Sequence, residues 1–575
     1  MIERVSSESP DIGFCWNRYT FQQLPCHALG IPGNGQRTTG TETIEHPELR
    51  VFRMMTQQRI PVPGCRTDSG LVLQDQSIAS VIVLPKLYED SNFEPLWGNP
   101  DSVAQLFAEL QLIDADGLDA GDYHYPVLLR LRDTIGKPGD PALQADFDML
   151  MTDSLIRMGY HLLVGKVDPV ELDSDWNMQD TIGDLDTVLE LAKAIGAGQV
   201  DTLVAQLRPQ HEVYAGLKQA LARYRRLRAE GGWQPVPAGP TLKPGMDDQR
   251  VPALRARLVA TGDMAAESMQ STLFDPAVEQ GVRAFQARQN LDVDGKVGKG
   301  TLAALNVPVQ GRIDQIRVNL ERARWVLHSL PEDFVLADIA GFRVTYFRAG
   351  IPVWTARSQV GKTYRKTPVF RSQIKYLVVN PTWTVPPTIL RQDILPKVKK
   401  DPGYLASKNL RVIDRQGKTV DAATIDWKKY TGGSFPYMIR QDPGPDNALG
   451  QIKFMFPNDH AVYLHDTNHR DLFGRSERAF SSGCIRVEQP FELAELLLDD
   501  PEKWSREQIL ATVDTRQLQN VSLRQPVTII LMYWTAYMGG DGKVHFRKDI
   551  YDRDAPVFDK LDDRFHFRRQ PVISS

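Results

Sequence analysis

The chemistry legible in this chain sits in two short runs, Tyr463-Leu464-His465-Asp466-Thr467 and Ser481-Ser482-Gly483-Cys484-Ile485-Arg486, with Cys484 nineteen residues after His465. A thiol is the least demanding covalent nucleophile, a few per cent ionised near neutral pH, and an imidazole raises that fraction by taking its proton. Cys484 therefore reads as a nucleophile and His465 as its base. The small residues Ser482 and Gly483 leave backbone N–H groups unobstructed beside the sulfur, as an oxyanion requires. Arg486, two residues past Cys484, falls on the same side as the nucleophile in an extended segment, where it can bind a substrate carboxylate or hold the loop. Tyr463 shares a strand face with His465, which suits either a pocket wall or a core aromatic. An isolated cysteine and histidine would fit equally well as a small buried hydrophobe and a satisfied imidazole; Ser-Gly before the thiol and Arg after it favour the nucleophile. Two further histidines compete as base. His460 follows the loop Pro457-Asn458-Asp459 and His469 lies in a polar run, so both read as surface.

These side chains need particular elements to carry them. Ala461-Val462-Tyr463-Leu464 is apolar with a β-branched and an aromatic residue, as in a strand, and a cysteine bounded by Gly and Ser suits an exposed turn. From Phe334 onward the pattern has period two, with Val344–Phe347, Val353–Ala356 and Tyr376–Val379 as short strand-like runs. A late strand, Val527–Tyr533, is followed by the turn Gly539–Gly542 and a partner, Val544–Phe546; a helix, Phe491–Leu498, follows the cysteine turn. Residues 386–450 show no regular strand pattern, which in a β domain points to a lid or substrate-covering subdomain. Trp383 just before it and Trp427 and Tyr430 within it are placed as lid lining or as the lid's own small core.

Upstream the periodicity is helical. Val103–Leu112, Phe147–Leu163, Ile182–Ile195 and Val213–Leu227 repeat apolar residues every three or four positions. A Pro- and Gly-rich linker, Pro235–Pro240, leads into a compact helical segment in which Leu254, Leu258, Val278, Val282 and Phe285 occupy core spacing, and Thr301 reads as a helix start after a glycine turn. Residues 1–77 are rich in Gly, Pro, Thr and Gln and read as a loose lead-in. The expected organisation is a lead-in (1–77), a helical scaffold (78–234), a linker and small helical module (235–310), a mostly-β catalytic domain (311–550, with 386–450 inserted) and a tail (551–575).

Composition narrows the function classes. At 575 residues the chain is too long for one core, and its 68 basic against 72 acidic side chains, a net charge of −4, give no polycationic footprint, so nucleic acid is not an expected partner. Nothing approaches the ~20 consecutive apolar residues of a membrane helix. Met1–Ser6 lacks the basic-then-apolar pattern of a secretory signal, so no export signal is visible at this start. The four cysteines, Cys15, Cys26, Cys65 and Cys484, are too few for a disulfide framework; a Cys15–Cys26 bridge and three unpaired thiols both fit the first three. No His and carboxylate cluster has metal-ligand spacing, and thiol chemistry calls for neither metal nor cofactor.

Tyr463–Thr467, Gly474 and Ser481–Val487 together resemble the signature of L,D-transpeptidases with the YkuD catalytic domain. Val81–Tyr88, Trp97, Asp116-Gly117-Leu118, Tyr123-His124, Thr152-Asp153 and Gly165–Pro169 resemble the helical scaffold of the large YcbB-type branch of that family. Phe285-Gln286 with Asp294–Gly298 is similar to the small three-helix peptidoglycan-binding domain, and Asn380–Pro386 to the segment before the branch's capping subdomain. Asp466 stands where many members have Gly, and Ser482 where many have a second His, so His465 is left as the motif's base. The resemblance implies a multidomain α+β chain: helical scaffold, three-helix peptidoglycan-binding-like module, and mostly-β YkuD-type domain with a capping insertion. It also implies a reaction. Cys484 attacks the bond between the L-centre of meso-diaminopimelate and the terminal D-alanine of a donor tetrapeptide stem, the side-chain amine of a second stem resolves the thioester, and a 3–3 crosslink results. The implied partners are peptidoglycan, its stem peptides and other cell-wall synthesis enzymes, and the implied location is the periplasm or its membrane face. A hydrolytic or lipoprotein-attaching variant and an inactive wall-binding scaffold are the other readings; intact Cys484, His465 and Arg486 weigh against the last.

Overall fold

The computed structural model describes residues 53–56, 71–81, 83–135, 140–178, 187–431 and 433–563. Cys15, Cys26, Cys65, most of the lead-in and the tail beyond residue 563 lie outside these residues.

The chain is a multidomain α+β assembly. Helices predominate up to residue 326, among them α1 (Pro141–Val164), α2 (Glu212–Ala229) and α3 (Val309–Val326). Helix α1 is capped by Asp140, whose side chain accepts from Ala142 N, and Pro141 fills the first turn where no N–H is needed. It is buried nearly all round, so Asp148, Asp153, Arg157 and His161 lie inside with partners: Asp148 accepts from Trp97 N (3.1 Å) and Asp153 from Ser80 N (2.8 Å) and Arg157 Nε (2.6 Å).

Helix α3 starts two residues before the expected catalytic boundary at 311, and it packs against α1, α2 and helix Asp554–Leu561. Its fully buried Glu321–Arg324 pair (2.6 Å) is completed by Val167 N on Glu321 and by Asp116 O and Tyr214 Oη on Arg324, which is what makes a buried pair tolerable. One continuous apolar core runs from these helices into the β-sheet.

Between them, helices Val251–Ala260, Pro276–Arg288 and Lys299–Leu305 enclose a separate core, with Leu254, Leu258, Val278, Val282 and Phe285 all inaccessible. Thr301 is not the helix start. Gly298 occupies the cap, and Thr301 sits inside the first turn, where its hydroxyl accepts from Gln286 Nε2 (3.1 Å).

The large sheet is built from β1 (Phe334–Asp338), β2 (Arg343–Arg348), β3 (Ile351–Gly361), β4 (Phe370–Val379), β5 (Ile452–Met455), β6 (Leu464–His465), β7 (Ala479–Ser481), β8 (Ile485–Val487) and β9 (Gln519–Met532). Their order is β7-β3-β8-β6-β5-β4-β9-β1-β2, and β3 also pairs with β2, so the sheet closes on itself. Most neighbours are antiparallel, but β6 and β8, β7 and β3, and β9 and β1 run parallel. Val544–Phe546 does not extend this sheet. It pairs with Ala536–Met538 in a separate two-stranded ribbon, because the chain turns after β9.

Between β4 and β5 the chain leaves the sheet. The segment expected to lack strands carries Met438–Gln441, Leu410–Ile413 and Thr419–Val420, which join Trp383–Thr384 just before it in a four-stranded sheet over its own apolar core. Strands of two to four residues are too short to register as a period of two. Trp427 is buried in that core, stacked on Phe435 at 5.3 Å, and Tyr430 meets the same ring edge-on.

Candidate active site

Four strands bring the candidate residues into one lateral row. Lys453 on β5 pairs with His465 on β6, His465 with Arg486 on β8, and Arg486 with Gln359 on β3. Directly paired residues in a sheet share a face at about 5 Å spacing, while their chain neighbours point the other way. Phe454, Leu464 and Ile485 are accordingly inaccessible in the core, and Lys453, His465 and Arg486 stand together on the opposite face. Ile485 N donates to Tyr463 O (2.9 Å), which sets Cys484, just before β8, beside Tyr463 and on that same face. The parallel course of β6 and β8 is what lets both sequence runs arrive with the same polarity.

His465 is 3% exposed, and its Nδ1–H donates to the carbonyl of Asp466, so the ring's free lone pair is on Nε2. Its pKa is driven down to about 3, first by burial and then by the cations of Arg486 and Lys453 on either side; the ring is neutral at physiological pH. The Cys484 thiol is half-buried and donates to Ala461 O (3.6 Å) rather than to His465. Burial holds this thiol above its ordinary value, and the Tyr463 backbone, Lys453 and Arg486 offset only part of that rise. Arg486 donates to Gln359 Oε1 (3.1 Å), while its buried Nε has no partner. Tyr463 forms part of the wall, its ring lying under the Lys453 ammonium at 3.4 Å from the centroid.

The loop carrying Cys484 is held by a chain of hydroxyls. Ser481 Oγ donates to Cys484 O (2.5 Å) and accepts from Gly483 N (3.1 Å). The Gly483 amide is thus already engaged, which leaves the Ser482 and Cys484 amides outside this network. Gly483 has φ of +117°, a torsion that disfavours side chains although the nearest atoms are 3.7 Å from a would-be Cβ. Thr367 Oγ1 donates to Gly483 O (2.8 Å) and accepts from Gly361 N (2.9 Å), and Tyr551 Oη donates to Gly361 O (2.5 Å).

Gly361 is needed for space. A Cβ there would lie 2.1 Å from Arg365 O and 2.9 Å from Thr367 N, both backbone atoms. Gly361→Ala is expected to cost about 1–3 kcal/mol, as overpacking does. Thermal unfolding measures it, and an unchanged midpoint would mean that the 362–367 turn moves aside freely.

That turn also reaches the inserted subdomain. One Arg365 nitrogen donates both to Ser482 Oγ (2.8 Å) and to Asp393 Oδ2 (2.5 Å), and the other to Gln392 Oε1 (2.6 Å). Asp393 lies in a π-helical turn, Leu390–Ile394. Ser482 therefore links the cysteine loop to the insertion. Asp466 is buried and turned away from the thiol, accepting from Gln451 N (3.0 Å) and pairing with Arg470 (3.0 Å). His460 points to Asp175 (3.7 Å) and packs on Phe370, away from the row.

The row contains residues the motif did not disclose, Lys453 and Gln359, and the loop network adds Thr367, Arg365 and Tyr551. One signal existed for Lys453: in Ile452-Lys453-Phe454-Met455, strand alternation puts a cation opposite two core residues.

Residues 332–528 match the L,D-transpeptidase catalytic domain, residues 83–221 a scaffold domain and residues 247–305 a family described as "Putative peptidoglycan binding domain". A Haemophilus influenzae protein described as "Putative L,D-transpeptidase" is 37% identical over 223 residues, 39% of this chain and 45% of its own. The chain thus spans less than half the length of that relative. Among solved structures, an L,D-transpeptidase from Mycobacterium smegmatis aligns at 14% identity over 35% of this chain and 58% of its own, with a TM-score of 0.17. One from Stackebrandtia nassauensis aligns at 12% identity over 51% and 97%, with a TM-score of 0.20.

Proposed function

We propose that this chain, which carries an L,D-transpeptidase catalytic domain beside a scaffold domain and a peptidoglycan-binding-type domain, joins peptidoglycan stem peptides through a Cys484 thioester. The observation that carries this reading is the shared face of Cys484, His465 and Arg486 across β6 and β8. The Cys484 sulfur attacks the carbonyl of the L-centre of diaminopimelate in a donor tetrapeptide. The Ser482 and Cys484 amides take the oxyanion, a change from Gly483, whose amide serves Ser481. Collapse breaks the peptide bond, and the departing D-alanine nitrogen takes up a proton that His465 Nε2 relays from solvent, replacing the one the thiol gave up. The side-chain amine of a second stem then attacks the thioester, loses its proton to the same nitrogen and releases the thiolate, leaving a 3–3 crosslink.

Arg486 is the carboxylate anchor. It has no carboxylate partner among the described residues, and its buried Nε is free to receive one from the substrate. Tyr463 lines the donor pocket. The peptidoglycan-binding-type module places the enzyme on its polymer, in the cell envelope, where other cell-wall synthesis enzymes meet the same substrate. No helix among the described residues is long and apolar enough to cross a membrane.

The test is incubation with a disaccharide-tetrapeptide, followed by mass spectrometry. The expected product is a dimer lighter than two monomers by one D-alanine minus nothing else lost. Release of D-alanine without dimer would make the enzyme a carboxypeptidase, and no turnover would sink the transfer reading.

A further inference from the structure

We propose that Lys453 is a further residue of the reaction site: its ammonium, acting with Arg486, stabilises the Cys484 thiolate as it forms for attack, in place of an imidazolium at His465. The inference rests on Cys484 being the nucleophile and not on which acceptor resolves the thioester.

The strand register carries the argument. Lys453 and Arg486 flank His465 on its two sides in the same lateral row, so an imidazolium would stand between two cations. Charge on the ring is disfavoured by position alone. The hydrogen bonding agrees, since the thiol is turned to Ala461 O and the ring's Nδ1–H to Asp466 O. An ion pair of the thiolate–imidazolium kind therefore has neither the contact nor the electrostatics it needs.

Lys453 is placed differently. Its ammonium lies 3.4 Å from the centre of the Tyr463 ring, and Tyr463 is the residue beside which Cys484 is fixed by the Ile485–Tyr463 backbone bond. Lysine ammonium groups in half-buried positions normally have a carboxylate. Among the described residues neither Lys453 nor Arg486 makes a salt bridge, so two positive charges face the sulfur uncompensated, held partly by a ring face. The other charged or titratable groups nearby do not cancel them. On β6 these are Tyr463 and neutral His465; on β4, Tyr376 lies toward Tyr463. From the turn after β3, Arg365 is paired with Asp393, and Asp466 is paired with Arg470 away from the sulfur. Burial sets the net direction at both groups, holding Lys453 below and Cys484 above their ordinary values, and each offsets part of the other's shift.

In chemical terms the S–H bond breaks with its electron pair left on sulfur, and the proton goes to solvent. Nothing is oxidised or reduced. The new S⁻ is balanced by Lys453 and Arg486, and His465, neutral at rest, relays protons between solvent and the leaving and attacking amines through a transiently protonated Nε2.

The test is the pH profile of Cys484 alkylation by iodoacetamide, followed on the Cys484 peptide by mass spectrometry, in wild type, Lys453→Met and Lys453→Arg. Methionine keeps the length and packing on Tyr463 but removes the charge. The expected result is an apparent midpoint about one pH unit higher in Lys453→Met, with alkylation below the midpoint about tenfold slower. Lys453→Arg should stay near wild type. A Lys453→Met profile that superimposes on wild type would overturn the proposal, because a purely structural lysine would not move the midpoint. Lys453→Gln is read the same way if the methionine variant fails to fold. The assay needs no peptide: a shifted midpoint in an enzyme that makes no crosslink would reject the transfer reading and keep this one.

Discussion

Cys484→Ser is expected to abolish D-alanine release and dimer formation, with a loss of about 10⁴-fold or more. Serine differs from cysteine by one atom and fits the same loop, so thermal unfolding should be unchanged. The chemistry does not survive, because a hydroxyl must be deprotonated by a strong base and this site has none. His465 holds a proton only near pH 3, far too weakly to take one from an alcohol. Two neighbouring cations can help an acidic thiol ionise but cannot rescue a hydroxyl. Intact-mass measurement after exposure to tetrapeptide should show an acyl adduct on the wild type and none on the variant. Activity within tenfold of wild type would mean that another group attacks.

The second large effect is at His465. His465→Asn keeps an N–H near the Asp466 carbonyl and removes the Nε2 lone pair, and is expected to slow transfer by about 10²–10⁴-fold. The pH behaviour separates this role from ordinary histidine catalysis. With the imidazole neutral above about pH 3, the wild-type rate should show no acid limb near 6.5; it should rise with pH as Cys484 ionises. Stability follows the opposite group. A histidine titrating at about 6.5 when unfolded and about 3 when folded makes the unfolded chain the better proton binder below 6.5. The wild type is therefore fully stabilised above that pH and loses up to about 1.4 kcal/mol per unit as the pH falls toward 3. His465→Asn should flatten that part of the acid unfolding curve. An acid limb at 6.5 in the wild-type rate would show that the ring does charge during turnover.

Cys484 and His465 were legible as candidates because each sits in a contiguous run with small and charged neighbours. The late strands were legible for a similar reason: Val344–Phe347 and Tyr376–Val379 carry enough β-branched and aromatic residues to declare a period of two. What the sequence hid was register. Lys453 belongs to the row only because β5 pairs with β6 at His465, a fact with no local signature. Arg365 reaches Ser482 and Asp393 from a turn that reads as an ordinary basic loop. Helix α1 was visible, but its buried Asp148, Asp153, Arg157 and His161 were not, since a helix surrounded by partners loses the polar face that periodicity relies on. The short strands of the insertion fell below the length at which alternation can be counted.

One connection in the sheet has an evolutionary consequence. Strands β4 and β5 are antiparallel neighbours, Val379 opposite Ile452, and Asn380 N donates to Gln451 O (2.9 Å). The whole excursion between them begins and ends at one hydrogen bond. A turn of about two to five residues would join the same strands, so this subdomain occupies the place of a hairpin loop. Because its ends already meet, the excursion adds no new closure to the barrel and carries its own core. Such a segment can be lengthened or exchanged without renegotiating the strand register around His465, provided the Gln392 and Asp393 contacts with Arg365 are kept. Ancestral enzymes of this architecture could therefore have acquired their covers as cassettes, and a designer could graft one for another at Asn380 and Gln451.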